Sequence, residues 1–251
     1  MRLIAALLIS TIAGFATLIG GLLSYLKISK ENINKFITFC LSFSLAIMLS
    51  LSVFELIPET FITLIKSYKL DLTLLIIGIV FLLGVGLILI LNKIISKLSS
   101  NTNNLYKLGI LNMIALMAHN LPEGIATFMS SYNDISLGIK IAIAIMLHNI
   151  PEGISIAIPI YYATKSRKKA LKMTAISSLV EPLGAILCYM FLKDYINDTS
   201  IGIILTLVAG IMITLAIHEL LPEAKKYNEE KILSLGIITG VIIMIINIFI
   251  L

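Results

Sequence analysis

Apolar residues in this chain come in runs of about twenty, separated by short stretches that hold most of the charge. The runs fall at 3–26, 36–57, 72–91, 108–129, 139–158, 173–192, 201–220 and 232–251. A helix rising 1.5 Å per residue needs about 20 residues to cross a hydrocarbon core roughly 30 Å thick. Each run therefore predicts a membrane-spanning helix. Eight such helices use most of the 251 residues, which leaves no room for a separate water-soluble unit. The expectation is one all-α polytopic domain over 1–251. The first run is too long and too evenly apolar for a cleaved leader, and no small-residue cleavage pattern follows it.

Two of the runs are broken by the same polar hexapeptide. His-Asn-x-Pro-Glu-Gly stands at 119–124 in the fourth run and at 148–153 in the fifth. Residues four apart share a helix face, so His119 pairs with Glu123 and His148 with Glu152. Hydrocarbon penalises ionisable groups unless they have partners, and inside a span they mark function by default. Two such pairs on neighbouring helices make a bis-His, bis-Glu cluster whose simplest occupant is a divalent metal ion.

Composition agrees with a lipid solvent. Hydrophobic residues are 59% of the chain, charged residues 13%, and mean hydropathy is +1.04, well outside the range of a soluble domain. Cys40 and Cys188 lie in different runs without metal-type spacing and suit small core positions. The net charge of +5 raises the question of nucleic acid, but its distribution answers it. Taking alternate links, one side holds 14 of the 19 basic residues, in clusters around Lys27–Lys35, Lys93–Lys107, Lys165–Lys172 and Lys225–Lys231. The other side has Arg2, Lys66, Lys69, Lys140 and Lys193. The positive-inside rule places the basic links in the cytoplasm and both termini outside. The basic excess sets topology, and no nucleic-acid partner is expected.

That topology puts the motifs at one depth. His119 stands 11 residues into the fourth run and His148 stands 11 past Leu137, so each lies about 16 Å in, near the bilayer midplane. The short link at 130–136 makes these antiparallel helices adjacent. Glu181 on the sixth span and Met48 on the second reach the same level, so four helices offer ligand-type side chains there. Pro122 and Pro151 lack the amides that would bond to the Ala118 and Leu147 carbonyls, and Gly124 and Gly153 permit close backbone approach. Glu181-Pro182 repeats the theme. Broken helices with freed carbonyls suit a substrate site that opens and closes. Asn120 and Asn149 fit either metal ligation or hydrogen bonding between helices, and Met48 fits either ligation or core filling.

A second echo lies further out. Glu55-Leu-Ile-Pro-Glu59 ends the second span, and Glu219-Leu-Leu-Pro-Glu223, preceded by His218, ends the seventh. The two spans run in opposite directions, as an inverted repeat of the first three and last three helices about a central pair predicts, a 3+2+3 plan. Glu55 and Glu59 would then attract cations at the outer mouth, and His218, Glu219 and Glu223 would line the inner exit.

The paired hexapeptides on spans four and five, and the continuation at 148–164, resemble the signature of the ZIP (Zrt-/Irt-like) divalent-metal transporters. The resemblance extends over nearly the whole chain. It implies a central site with ligands His119, Glu123, His148 and Glu152, with Met48 matching a second-span methionine that contributes in some members. It implies a neighbouring metal position using Asn120, Asn149 and Glu181, with Glu152 bridging. Asn149 replaces an aspartate found in some members, so this second position has one carboxylate fewer. The link 96–107 lacks the histidines many relatives carry there. An elevator-like shift of spans one, four, five and six against the others, and a homodimer, are also implied.

The donor chemistry agrees independently. Imidazole, carboxylate and amide suit Zn²⁺, Fe²⁺, Mn²⁺ and Co²⁺, with Cd²⁺ a passenger, whereas Mg²⁺ and Ca²⁺ call for oxygen-only cages. These ions are expected as transported substrates, with no prosthetic group, in a multi-pass protein of the bacterial cytoplasmic membrane. A membrane-embedded zinc hydrolase is the alternative, although no His-Glu-x-x-His occurs and His218 is predicted far from the midplane pair. A metal-gated channel is a third possibility.

Overall fold

A computed structural model describes residues 2–98, 103–192 and 198–250. Every apolar run becomes helix, and no strand occurs among the described residues. Helix α1 covers Arg2–Leu22, and α2 covers Ile33–Leu51 and passes through a π-helical turn, Ser52–Leu56, into α3, Ile57–Ile65. Helices α4 (Leu70–Leu98), α5 (Asn104–Asn133) and α6 (Ile135–Thr164) follow. Helix α7 (Arg167–Ser178) continues into α8 (Val180–Leu187) with a break at Leu179, where Pro182 offers no amide to the Ser178 carbonyl. A second π turn, Cys188–Leu192, follows α8, and a third, Ala216–Leu220, joins α9 (Asp198–Leu215) to α10 (Leu221–Lys225); α11 covers Glu230–Ile250.

Seven of these helical segments are long and apolar enough to cross a membrane. The eighth expected span is α5, whose 30 residues are interrupted by Asn112, His119, Asn120, Pro122 and Glu123 and so fall below that apolar standard. At about 45 Å it is long enough to cross. Its polar residues are buried against protein, not presented outward: Asn112, His119 and Asn120 are completely inaccessible. Lys193, counted in the charge distribution, lies outside the described residues, as does the middle of the link between α4 and α5.

Helices α1, α5, α6, α7 and α8 pack chiefly on one another, and α2, α3, α4, α9, α10 and α11 form a second group. The groups meet mainly where α2 crosses α6 and α5 crosses α9. Bare backbones make the first group tight. A Cβ on Gly124 of α5 would sit 1.9 Å from the Glu181 carbonyl oxygen, and one on Gly153 of α6 would sit 1.9 Å from that of Thr17 in α1. The motif glycines therefore do what their position suggested. Gly14, Gly20, Gly21 and Gly84 also meet a neighbouring helix, while Gly78 and Gly86 meet nothing within 4 Å.

One of the prolines inside the helices is compensated by a side chain. Pro159 offers no amide to the Ser155 carbonyl, and Asn112 of α5 donates its Nδ2 there at 2.7 Å. Ser44 of α2 donates to the Pro151 carbonyl at 2.7 Å. Helices α5 and α6 remain continuous through Pro122, Pro151 and Pro159. The link between them is shorter than the expected 130–136. Only Asp134 intervenes, and its carboxylate accepts from the amides of Ser136 (2.8 Å) and Leu137 (3.3 Å), starting α6 at once.

Side-chain contacts sort the links into two ends. The Arg167 guanidinium lies 5.5 Å from the Tyr25 ring centre and 5.7 Å from that of Tyr161, and Lys169 lies 4.4 Å from Tyr106. Thr38 donates to the Ala224 carbonyl at 3.5 Å. These contacts bring the first link, the start of α5, the α6–α7 link and the end of α10 together. At the other end Thr60 donates to the Gly202 carbonyl at 3.0 Å, near the Ser67–Thr199 hydroxyl pair (3.3 Å).

Candidate metal centre

Pro-Glu-Gly follows each His-Asn, so helix periodicity alone aims His119 and Glu123 off α5, and His148 and Glu152 off α6, toward one seam. The geometry is close. His148 Nε2 lies 2.7 Å from Glu123 Oε1, and His119 Nε2 lies 3.1 Å from the same oxygen. His119 Nε2 is also 3.4 Å from Glu152 Oε1. The two imidazole centres are 6.2 Å apart. One ligand atom each from His119, Glu123 and His148 falls within 4.8 Å of the others. All four side chains are buried, Glu123 most exposed at 5%.

This cluster has acceptors to spare. Among the described residues no hydrogen bond reaches either oxygen of Glu152 or Oε2 of Glu123. A buried acceptor left unmet costs about 1–3 kcal/mol, and more when charged. Several converging on one point are an arrangement that a cation relieves.

A second layer of polar groups borders the first on α1 and α8. Asn149 donates from Nδ2 to Glu181 Oε2 (2.9 Å) and to the Ala13 carbonyl (3.0 Å), which fixes its amide and leaves Oδ1 free of hydrogen bonds. Glu181 Oε1 and both polar atoms of Asn120 also lack hydrogen bonds, and all three residues are fully buried. Met48 is completely buried in the apolar core beside Ile47 and Leu51. It stands one turn beyond Ser44, whose hydroxyl touches Pro151, so this face of α2 turns toward the α6 motif.

Two cavities flank the centre. One of about 380 Å³ opens at the Asp134 end, and its walls include Glu55, Glu59, Glu123, Lys140 and His148. Glu55 Oε2 there is buried without a hydrogen bond. The other, of about 290 Å³, lies at the opposite end and is lined by Asn92, Lys107, His218, Glu219, Glu223 and Lys226. Asn92 donates to Glu219, and Lys226 pairs with Glu223. Glu223 is buried at 8% exposure. The first cavity reaches two cluster residues, whereas the lining of the second includes none of the four.

Sequence reasoning thus named the acidic groups of both cavities. It missed Lys140 and Lys226 as lining residues, having counted them only toward topology, and it missed Asn92 and Asn112. Asn112 stands seven residues before His119 on the same face, but the Ser155 carbonyl that it meets lies on another helix, 43 residues along the chain.

A helical bundle with a His/Glu cluster buried between two proline-containing helices defines a membrane metal transporter in type, and comparison with known proteins gives the family. Residues 97–248 match the family described as ZIP zinc transporter, and the chain belongs to the ZIP family. Bacterial proteins named zinc transporter ZupT are similar along nearly their whole length. That of Oceanobacillus iheyensis is 37% identical, covering 100% of this chain and 99% of the relative. That of Chlorobium limicola is 39% identical over 98% of each, and that of Streptococcus mutans 35% over 98% and 97%. The chain is a multi-pass protein of a bacterial membrane, and it is a transporter and not an enzyme.

Proposed function

We propose that this protein imports Zn²⁺ and related divalent transition metals into the cytoplasm through the His119, Glu123, His148, Glu152 cluster. The carrying observation is the convergence of two buried imidazoles and two carboxylates, drawn from matched motifs, on one seam rich in unmet acceptors. The names of the ZupT relatives support zinc as a substrate. The mixed nitrogen and oxygen donors extend the expectation to Fe²⁺, Mn²⁺, Co²⁺ and Cd²⁺. Asn120, Asn149 and Glu181 form an adjoining position bridged by Glu152, and Met48 is the second-span contributor.

All eight helical spans cross the membrane as one domain, α5 included, in a 3+2+3 order with both termini outside. The clustering of basic links at one end supports this orientation. So does the likeness of the Ser52–Leu56 and Ala216–Leu220 turns, each followed directly by a helix with proline in its first turn. The cavity holding Glu55 and Glu59 is then the outer mouth, open to the site, and the cavity holding His218, Glu219 and Glu223 is the inner exit, closed from it. The two helix groups supply the moving and static parts for alternating access. Helix α4, only 11% buried over its most apolar stretch, leaves a face for lipid or for the partner of a homodimer. A zinc hydrolase is disfavoured because the third histidine, His218, lines the far cavity.

The test is uptake into proteoliposomes reported by an enclosed metal-sensitive dye. Wild-type protein carries Zn²⁺ with saturation, and His119→Ala or His148→Ala abolishes uptake while the protein stays folded by circular dichroism. Wild-type flux in both variants removes the central site. Linear, non-saturating flux makes the protein a channel instead. For orientation, a Ser166→Cys thiol reacts only with membrane-permeant reagents on intact cells, and reaction with impermeant reagents reverses the topology.

A further inference from the structure

Lys140 stands in the mouth of the cavity that leads to the metal cluster. One stripe of α6 faces that space, running through Leu137, Lys140, Ile141, Ala144, Ile145 and His148 at helical spacing. Lys140 is the outermost charge on it, eight residues or about 12 Å along the axis from His148. Across the cavity, α2, its π turn and α3 present Glu55 and Glu59, and α5 presents Glu123. Apart from His148, Lys140 is the only basic residue among the described residues lining this mouth. Its side chain is exposed and makes no ion pair among the described residues, so its ammonium adds an unpaired positive charge to a mouth lined by Glu55 and Glu59.

We infer that Lys140 is a specificity-determining residue, a tethered cation that competes with incoming ions for the carboxylates of the mouth. This rests on the reading of the protein as a metal importer. Carboxylates alone suit Ca²⁺ and Mg²⁺ and discriminate little against them. Selection for Zn²⁺ comes only at the imidazoles further in. An ammonium in the mouth weakens every cation there, and ions able to regain affinity from His119 and His148 lose least. Without it, abundant hard cations occupy Glu55 and Glu59 and block the way. A lysine that merely anchors α6 at the lipid surface would have none of these consequences.

The experiment measures Zn²⁺ uptake in proteoliposomes for wild type, Lys140→Gln and Lys140→Arg, with Ca²⁺ or Mg²⁺ as competitor, at about 10 mM and about 1 M inert salt. A unit and a double charge about 12 Å apart in water predict a KM about threefold lower for Lys140→Gln at low salt. The difference vanishes at high salt, where the screening length falls to about 3 Å. Ca²⁺, held only by the mouth carboxylates nearer Lys140, inhibits Lys140→Gln more strongly than wild type by more than this roughly threefold factor, so the ratio of its inhibition constant to the Zn²⁺ KM falls. Lys140→Arg matches wild type. Unchanged KM and Ca²⁺ inhibition in Lys140→Gln at low salt overturns the inference, as does an arginine variant that behaves like glutamine. Absence of His119-dependent uptake in the wild type would instead remove the transport reading itself.

Discussion

The segments Glu55-Leu-Ile-Pro-Glu59 and Glu219-Leu-Leu-Pro-Glu223 share a sequence pattern and a local conformation, yet their carboxylates stand in opposite circumstances. Each lies where a long helix passes through a π turn into a short helix with proline in its first turn. A π turn inserts a residue and rotates the helix beyond it, a device common at functional sites. At the Asp134 end it leaves Glu55 without a hydrogen bond on Oε2, facing a space that reaches Glu123 and His148. At the other end Glu219 accepts from Asn92 and Glu223 pairs with Lys226. One local code thus gives an acid free to take a cation and an acid already supplied with donors. The difference comes from neighbouring helices, since α4 and the turn after α10 bring Asn92 and Lys226 to one end only.

That contrast breaks first at the shared hub. Glu152→Gln removes a carboxylate of the proposed metal site between the two cavities, and since changes outside a ligand shell already cost 10–100-fold, roughly a hundredfold loss of Zn²⁺ uptake is expected. Retained uptake in a dye-filled vesicle would mean the two cavities serve different sites. Glu55→Gln comes next. Its loss weakens capture, so KM rises about tenfold with the maximal rate preserved, one carboxylate–metal attraction in a wet cavity being worth that much. Glu219→Gln acts at release, and the expected change is a maximal rate lowered by about threefold with KM unmoved, the loss of a single charge at a site already holding donors. If both variants change KM alike, the cavities are not functionally opposed. Acidification sharpens the picture further. Imidazoles bind metal only when neutral and carboxylates only when ionised, so affinity in detergent, measured by dye competition, falls as pH is lowered. Smallest is Lys226→Gln, because an ion pair half open to water contributes only about 0–1 kcal/mol; uptake within about twofold of wild type is expected.

Much of the site was legible in the sequence because a helix repeats every 3.6 residues. A His and a Glu four apart must share a face, and two copies on antiparallel helices joined by a short link must meet. The contacts of Glu123 with both histidines realise that deduction. The eight runs marked the helices for a similar reason, lipid tolerating no irregular backbone. Less legible were groups whose meaning depends on a partner far along the chain. Nothing near Asn112 announces that it completes the Ser155 carbonyl left open by Pro159, and nothing near Lys140 tells that its face of α6 looks across at Glu55 and Glu59.

Sequence by itself therefore determined the solvent, the helices, the links that carry the charge and the pairs of donors on α5 and α6, because each is written in short-range periodicity and hydropathy. Tertiary structure decided which acids stand free and which are supplied with donors, which glycines meet a neighbouring backbone, and which cavity reaches the metal cluster. Those outcomes depend on how two helix groups lean on one another. That choice is made by contacts between residues a hundred or more positions apart, such as Ser44 of α2 with Pro151 of α6, and no local pattern encodes it.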